Sequence, residues 1–131
     1  VHVVDVGDLS DSTRWREVGT FRVRDAGVHN FSVDERSGVL YAAYYGGGVR
    51  ALDVRGDLAS CTAAQRTADG RCDLERMGRA IGVALATGPT TTEPRSGIAH
   101  EPFVWGVEFL DGAVYASDMM GGLWKLRGLT P

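Results

Sequence analysis

Apolar residues in this chain come in short runs of roughly five, broken by Gly, Asp and Ser, with no long stretch of helical period. Val1 to Val6 is apolar except at His2 and Asp5, which predicts a strand covered on both faces. Gly7 to Arg14 reads as a turn, and Arg16 to Val23 alternates as a half-exposed outer strand does. After a connection at Asp25-Ala26-Gly27, His29 to Asp34 predicts a strand with His29, Phe31 and Val33 on one face. Glu35 to Gly38 is a tight turn, Val39 to Tyr45 an apolar and aromatic strand, Gly46 to Gly48 a hairpin turn, and Val49 to Val54 a third strand. Near the end the series recurs: Phe103 to Leu110, a turn at Asp111-Gly112, Ala113 to Met119, Gly121-Gly122, then Leu123 to Leu126. Asp-Gly between two apolar runs is the sharpest hairpin signal in the chain.

That recurrence is an internal repeat. HNFSVDERSGVLYAAYYGGGVRALDV (His29 to Val54) aligns with WGVEFLDGAVYASDMMGGLWKLRGL (Trp105 to Leu129), with gaps only in the turn after the first strand. VHVVDVGDLSDS at the start aligns with VRALDVRGDLAS (Val49 to Ser60). Between the copies lies an inserted stretch from Arg55, in which residues 58–67 predict a short helix. Met77 to Ala86 has the character of Arg16 to Val23 and predicts a fourth, outer strand; Thr87 to Glu101 is polar and Pro-rich and predicts a long loop. A repeat of four antiparallel strands is the blade of a β-propeller. The expected fold is therefore all-β, a partial propeller of roughly two and a half blades. Residues 1–24 form the outer strands of one blade, 28–86 a full blade carrying an insertion at 55–77, and 103–131 an incomplete last blade. A chain starting inside a strand reads as a piece of a longer protein. Strand edges at Val1 to Val6 and Leu123 to Leu126 would then seek the remaining blades as partners.

VHVVDVGDLSD and VRALDVRGDL resemble the LVIVD-repeat signature, four apolar positions closing on Asp-Val before a polar turn, and GVHNFSVDERSGVLYAAYYGGGVRALDV resembles the body of that repeat. The resemblance implies a bacterial or archaeal propeller, exported or at the cell surface, without an assigned activity. The last copy departs from it, with Trp105 at the position of His29 and Arg127 at that of Asp53.

Composition narrows the partners. The chain has 131 residues, 44% hydrophobic and 24% charged, a soluble globular profile for one domain. The net charge of -3, with arginines dispersed among 17 acidic residues, gives no electrostatic footprint for nucleic acid. No apolar run approaches the ~20 residues of a membrane helix. Arginine outnumbers lysine 13 to 1, Lys125 being the single lysine, which with the many glycines suggests a high-GC bacterial genome.

Candidate chemistry is sparse. Cys61 and Cys72, in a polar loop, suit a loop-closing disulfide worth roughly 3 kcal/mol; a metal pair or two free thiols are the rivals. No second CxxC or nearby His supports a metal there. A disulfide implies an extracellular, periplasmic or cell-surface location. His29 opens the innermost strand of its blade, at the mouth of the central channel, with Arg24 and Asp25 just before it. His100 and Glu101 lead into the next innermost strand, so His29, Asn30, His100, Glu101 and Trp105 form a candidate binding rim for a protein or carbohydrate ligand. His29, His100 and Glu101 are the alternative divalent-metal or acid-base set. The bland reading has His29 packing between blades. No cofactor is expected. Asp5 and Asp53 read as local, in an Asx-type turn or a bond to a neighbouring strand; Asp5, Asp8 and Asp11 are too sparse for calcium. Tyr41, Tyr44, Tyr45, Tyr115 and Trp124 read as packing, with carbohydrate stacking as the alternative. Asn30-Phe31-Ser32 fits a glycosylation sequon but lies within a strand. Gly46 to Gly48 lacks the helix and Lys of a phosphate loop, and Ser32, Ser37 and Ser117 lack a nucleophile elbow.

Overall fold

The structure is a computed structural model that describes residues 1–85, 91–92, 99–100 and 102–129. In chain order the strands are β1 (His2–Asp5), β2 (Arg16–Thr20), β3 (Phe31–Asp34), β4 (Val39–Ala43), β5 (Val49–Asp53), β6 (Cys72–Asp73), β7 (Ala80–Ala84), β8 (Thr91–Thr92), β9 (Ala99–His100), β10 (Val104–Leu110), β11 (Ala113–Asp118) and β12 (Gly122–Arg127). The fold is all-β. The helix expected over 58–67 is only a single 3-10 turn at Ala63–Gln65. That turn is held by the Gln65 side chain, which accepts from the Thr62 amide at 3.0 Å and its hydroxyl at 3.1 Å. With Thr62, Thr67 and Asp57 competing for backbone groups, the stretch forms turns rather than a helix. Within the loop expected over Thr87 to Glu101, β8 and β9 pair as a two-residue ladder, Thr91 opposite His100 and Thr92 opposite Ala99; the rest of it lies outside the described residues.

Two compact units divide the chain. The first comprises Val1–Arg22 and Val54–Ala80, the second Val23–Asp53 and Ile81–Pro131. In the first, β1 and β2 pair antiparallel with a register shift between Val3 and Val4, and β6 adds to β2 in parallel, Gly19 opposite Cys72. The expectation that β1 is covered on both faces is corrected: Val4 is 45% exposed. β1 lies at the edge of its sheet beside β2, and His2, Val4 and Asp5 are all exposed. The buried residues of this unit are Gly19, Thr20, Phe21, Cys72 and Leu74. A Cβ on Gly19 would sit 3.1 Å from Leu74 Cδ1 and 3.2 Å from the Leu58 carbonyl, so glycine lets the inserted segment close onto β2. A disulfide joins Cys61 to Cys72. Elsewhere the segment is held by arginines reaching carbonyls: Arg66 to Gly70 and Arg76 to Arg66, each at 2.6 Å, and Arg79 to Arg55 at 2.9 Å. Five guanidinium donors per side chain suit that work.

In the second unit the repeat is visible residue by residue. One sheet has the order β3-β4-β5-β7 and another β10-β11-β12. Val39 opposes Asp34 on one side and Asp53 on the other; Ala113 opposes Leu110 and Arg127 in the same way. The copies differ in their first turn. In one, the Asp34 carboxylate caps residues 35–38 by accepting from the Arg36 and Ser37 amides. In the other, Asp111 (φ 50°) and Gly112 (φ 77°) both adopt left-handed values, the requirement of a type I′ hairpin. Between the sheets lies an apolar core of Val39, Tyr41, Val49, Val104, Val107 and Val114 with neighbouring alanines, flanked by Ile81, Phe109, Leu126 and Leu129. Small residues at Ala43, Ala51 and Ala116 let the sheets close around these larger side chains.

Candidate functional site

The inner strands β3 and β10 of the second unit meet through side chains that stand in for a backbone ladder. The Val107 amide donates to Asn30 Oδ1 at 3.0 Å, and Asn30 Nδ2 donates back to the Val107 carbonyl at 3.4 Å. Two residues on, the Phe109 amide donates to Ser32 Oγ at 3.0 Å while that hydroxyl donates to Glu108 Oε1 at 3.2 Å. At the far side the Tyr41 hydroxyl accepts from the Leu129 amide at 2.7 Å, and its ring stacks on Phe109 at 5.7 Å. Each latch satisfies backbone groups that pairing within its own sheet leaves over. Asn30 is therefore spent on the joint between the sheets.

Where the two inner strands begin, an aromatic cluster forms. His29 is fixed by its amide, which donates to the Ala43 carbonyl at 2.8 Å, and its ring lies 4.0 Å from that of Trp105. Tyr45 stands edge-on to His29 at 5.8 Å and tilts against Phe103 at 4.7 Å. Its backbone has left the helical and extended regions, with φ 41°, and bridges to Val104 by two hydrogen bonds of 3.0 and 3.1 Å. Trp105 sits where the β10–β11 register shifts, which turns its side chain outward. Trp105 is 45% and Phe103 42% exposed. Beside them lies a cleft of about 320 Å³ lined by Trp105, Ser117, Asp118 and Met119. Asp118, nearly buried, accepts from the Phe103 amide at 3.1 Å and the Met120 amide at 2.9 Å, holding the loop beside Trp105 in place.

Of the sequence-predicted rim, the structure brings His29 and Trp105 together. His100 lies in β9 with its side chain outside the described residues, as is all of Glu101. Among the described residues no group of three His, Cys, Asp or Glu side chains could hold a metal. Tyr41 and Tyr44 are buried, whereas Trp124 is 38% exposed, so the repeat-spaced aromatics do not share one environment. Asp5 accepts from the Gly7 amide at 3.0 Å, the Asx turn read from the sequence. The same turn recurs at Asp8 with Ser10 and at Asp57 with Ala59, which are matching repeat positions. Phe103 and Ser32 carry no residue-level signal for this cluster, and Tyr45 reads from the sequence only as one of the repeat-spaced aromatics.

Electrostatics mark the first unit rather than the aromatic cluster. Arg71 bridges Asp69 and Glu17, and His2 Nδ1 lies 2.6 Å from Glu17 Oε1. Arg71 and Thr67 hold the Asp69 carboxyl down to about 2. The hydrogen bond from His2, with help from Arg71, lowers that of Glu17. In the second unit, burial pushes the Tyr44 hydroxyl up to about 12.

No family model, curated protein or solved structure matches this chain.

Proposed function

We infer that this chain is a repeat module of a β-propeller of the LVIVD kind, exported or held at the cell surface, which acts as a binding scaffold and not as a catalyst. The observation that carries the reading is the joint between the two copies. Sheets of identical register stand with inner strands side by side, latched by Asn30 and Ser32. A propeller is built by repeating that relation around a ring. The Cys61–Cys72 disulfide supports an oxidising compartment.

The contact surface in this reading is the aromatic cluster with its cleft. An exposed indole and phenyl with the exposed Ser117 nearby offer a flat apolar face edged by a hydroxyl, the chemistry that recognises a sugar ring or a peptide side chain. The test is binding of the 131-residue chain to glycan and peptide arrays, repeated with Trp105→Ala. The reading expects a reproducible ligand whose binding falls at least tenfold in the variant while the melting temperature holds. Stoichiometric metal retained through purification, or turnover of a bound ligand, would contradict it and restore His29, His100 and Glu101 as a reactive set.

A further inference from the structure

Late in the inserted segment, polar and apolar residues alternate without a break. Thr67, Asp69, Arg71, Asp73 and Glu75 stand at one set of positions, Ala68, Gly70, Cys72 and Leu74 at the other. Period two sends the two sets to opposite faces of an extended chain. β6 lies in this stretch and pairs in parallel with β2, Thr20 opposite Asp73; the Leu74 amide carries the pairing on by donating to the Thr20 carbonyl at 2.9 Å. Cys72 and Leu74 are buried together with Gly19 and Phe21 of the neighbouring stretch. The polar set is left for the other face, and there it borders a pocket of about 340 Å³. Thr20 and Arg22 complete the lining, and Ala68 is its one apolar residue. Thr20, 3% exposed, is the most buried of these side chains.

Most charges around the pocket are spent within the protein. Arg71 bridges Asp69 and Glu17. Asp73 accepts from the Glu75 and Arg76 amides at 3.0 and 3.2 Å, and the Arg76 guanidinium lies 3.4 Å from it. Two side chains are left over. Among the described residues, the exposed Arg22 guanidinium and the exposed Glu75 carboxylate make neither a hydrogen bond nor an ion pair. One free cation and one free anion therefore border the same pocket, and no aromatic ring lines it. An anion entering alone would meet the carboxylates of Asp69, Asp73 and Glu75, and a cation alone would meet Arg22 and Arg71. A ligand carrying both charges turns each of these encounters into a pairing. We propose that this pocket binds a free amino acid, its carboxylate on Arg22 and its ammonium on Glu75. A guanidinium can grip a carboxylate with two parallel hydrogen bonds, which fixes the ligand's orientation as well as its charge. The site lies wholly within the first unit and makes no use of the propeller reading or of the aromatic cleft.

NMR titration of the 131-residue chain with the common L-amino acids, each at millimolar concentration, tests the proposal. At least one should shift the amides of Thr20, Asp69, Arg71 and Glu75 saturably, while those of Val107 and Ser117 in the second unit stay in place. The N-acetyl derivative of that amino acid lacks the ammonium and its α-amide lacks the carboxylate. Each should bind about tenfold more weakly, the worth of one charged hydrogen-bonded contact. Arg22→Gln should abolish the discrimination against the α-amide, and Glu75→Gln that against the N-acetyl form. Neither side chain has a partner to lose, so both variants should melt at the temperature of the unaltered chain. The shifts should weaken in ~1 M salt. No amino acid that moves these amides, a blocked derivative that binds as well as its parent, or a discrimination that survives loss of its side chain would overturn the proposal. Acetate alone moving the same amides equally would overturn it too, because a lone surface charge would then explain the shifts. Each of these failures leaves the propeller reading standing.

Discussion

Asn30 shows at the scale of one residue how a side chain can hold two sheets together. Its amide makes two bonds to the backbone of Val107, and both partners are half shielded from water. Asn30→Ala leaves that N–H and C=O unsatisfied, which costs about 1–3 kcal/mol. Chemical denaturation should show the loss as a lower midpoint at unchanged slope. Tyr44 carries a prediction of a different kind. Burial raises its hydroxyl to about 12, so the folded state disfavours the phenolate. Folded-state ionisation above the unfolded value gives stability that is complete below pH ~10 and drains as pH climbs toward about 12. Absorbance at the phenolate band should show a tyrosine titrating late and together with unfolding; its ionisation near pH 10 with the fold intact would contradict the burial. Sequence reading placed Asn30 on a binding rim because it adjoins His29. Its actual partner lies 77 positions away, a distance no local pattern encodes.

Elements were more legible than residues, because alternation and turn chemistry are local. Each strand of the repeat but β12 lies within the segment that periodicity marks, usually a residue or two shorter at the ends, and β12 runs one residue beyond Leu123 to Leu126 at each end. Asp111-Gly112 forms the hairpin that the pair announces. β6 was not foreseen, since a two-residue parallel strand leaves no period to read. Glycines in these elements separate backbone from side-chain constraints. A Cβ on Gly47 would lie 2.9 Å from the Tyr44 carbonyl, an atom fixed by the turn, whereas one on Gly82 would meet the mobile tip of Leu129. Gly47→Ala should therefore destabilise by about 1–3 kcal/mol and Gly82→Ala by less, with Leu129 displaced from the core. Comparing the melting temperatures of the two variants checks the order.

At the scale of the molecule the two units answer to different conditions. The first is held by the Cys61–Cys72 bridge and by charge pairs rather than by a broad apolar core. Reduction should cost that unit about 2–3 kcal/mol by freeing the loop. Acid should act on it too. Asp69 and Glu17 ionise below their ordinary range, so their contribution is present above pH ~4 and is lost as pH falls, toward about 2 in the case of Asp69. Probes at Trp15 in the first unit should respond to both treatments before probes at Trp105 in the second, and a simultaneous response would contradict the division. The repeat was legible here because self-similarity needs no knowledge of contacts. The aromatic cleft was only partly so: His29 and Trp105 lie on matching strands, but the exposure of Phe103 depends on how Asp118 anchors its loop.

A propeller requires that the two copies of the repeat meet through their inner strands. The amide of Val107 reports on this directly, because its acceptor is the side chain of Asn30 in the other copy and not a carbonyl of its own sheet. Hydrogen exchange at Val107 should be slow in the native chain and at least tenfold faster in Asn30→Ala, while amides within the β10–β11 ladder keep their protection. Val107 exchange that ignores the substitution would mean the sheets are not joined in this way, and the propeller reading would go with it.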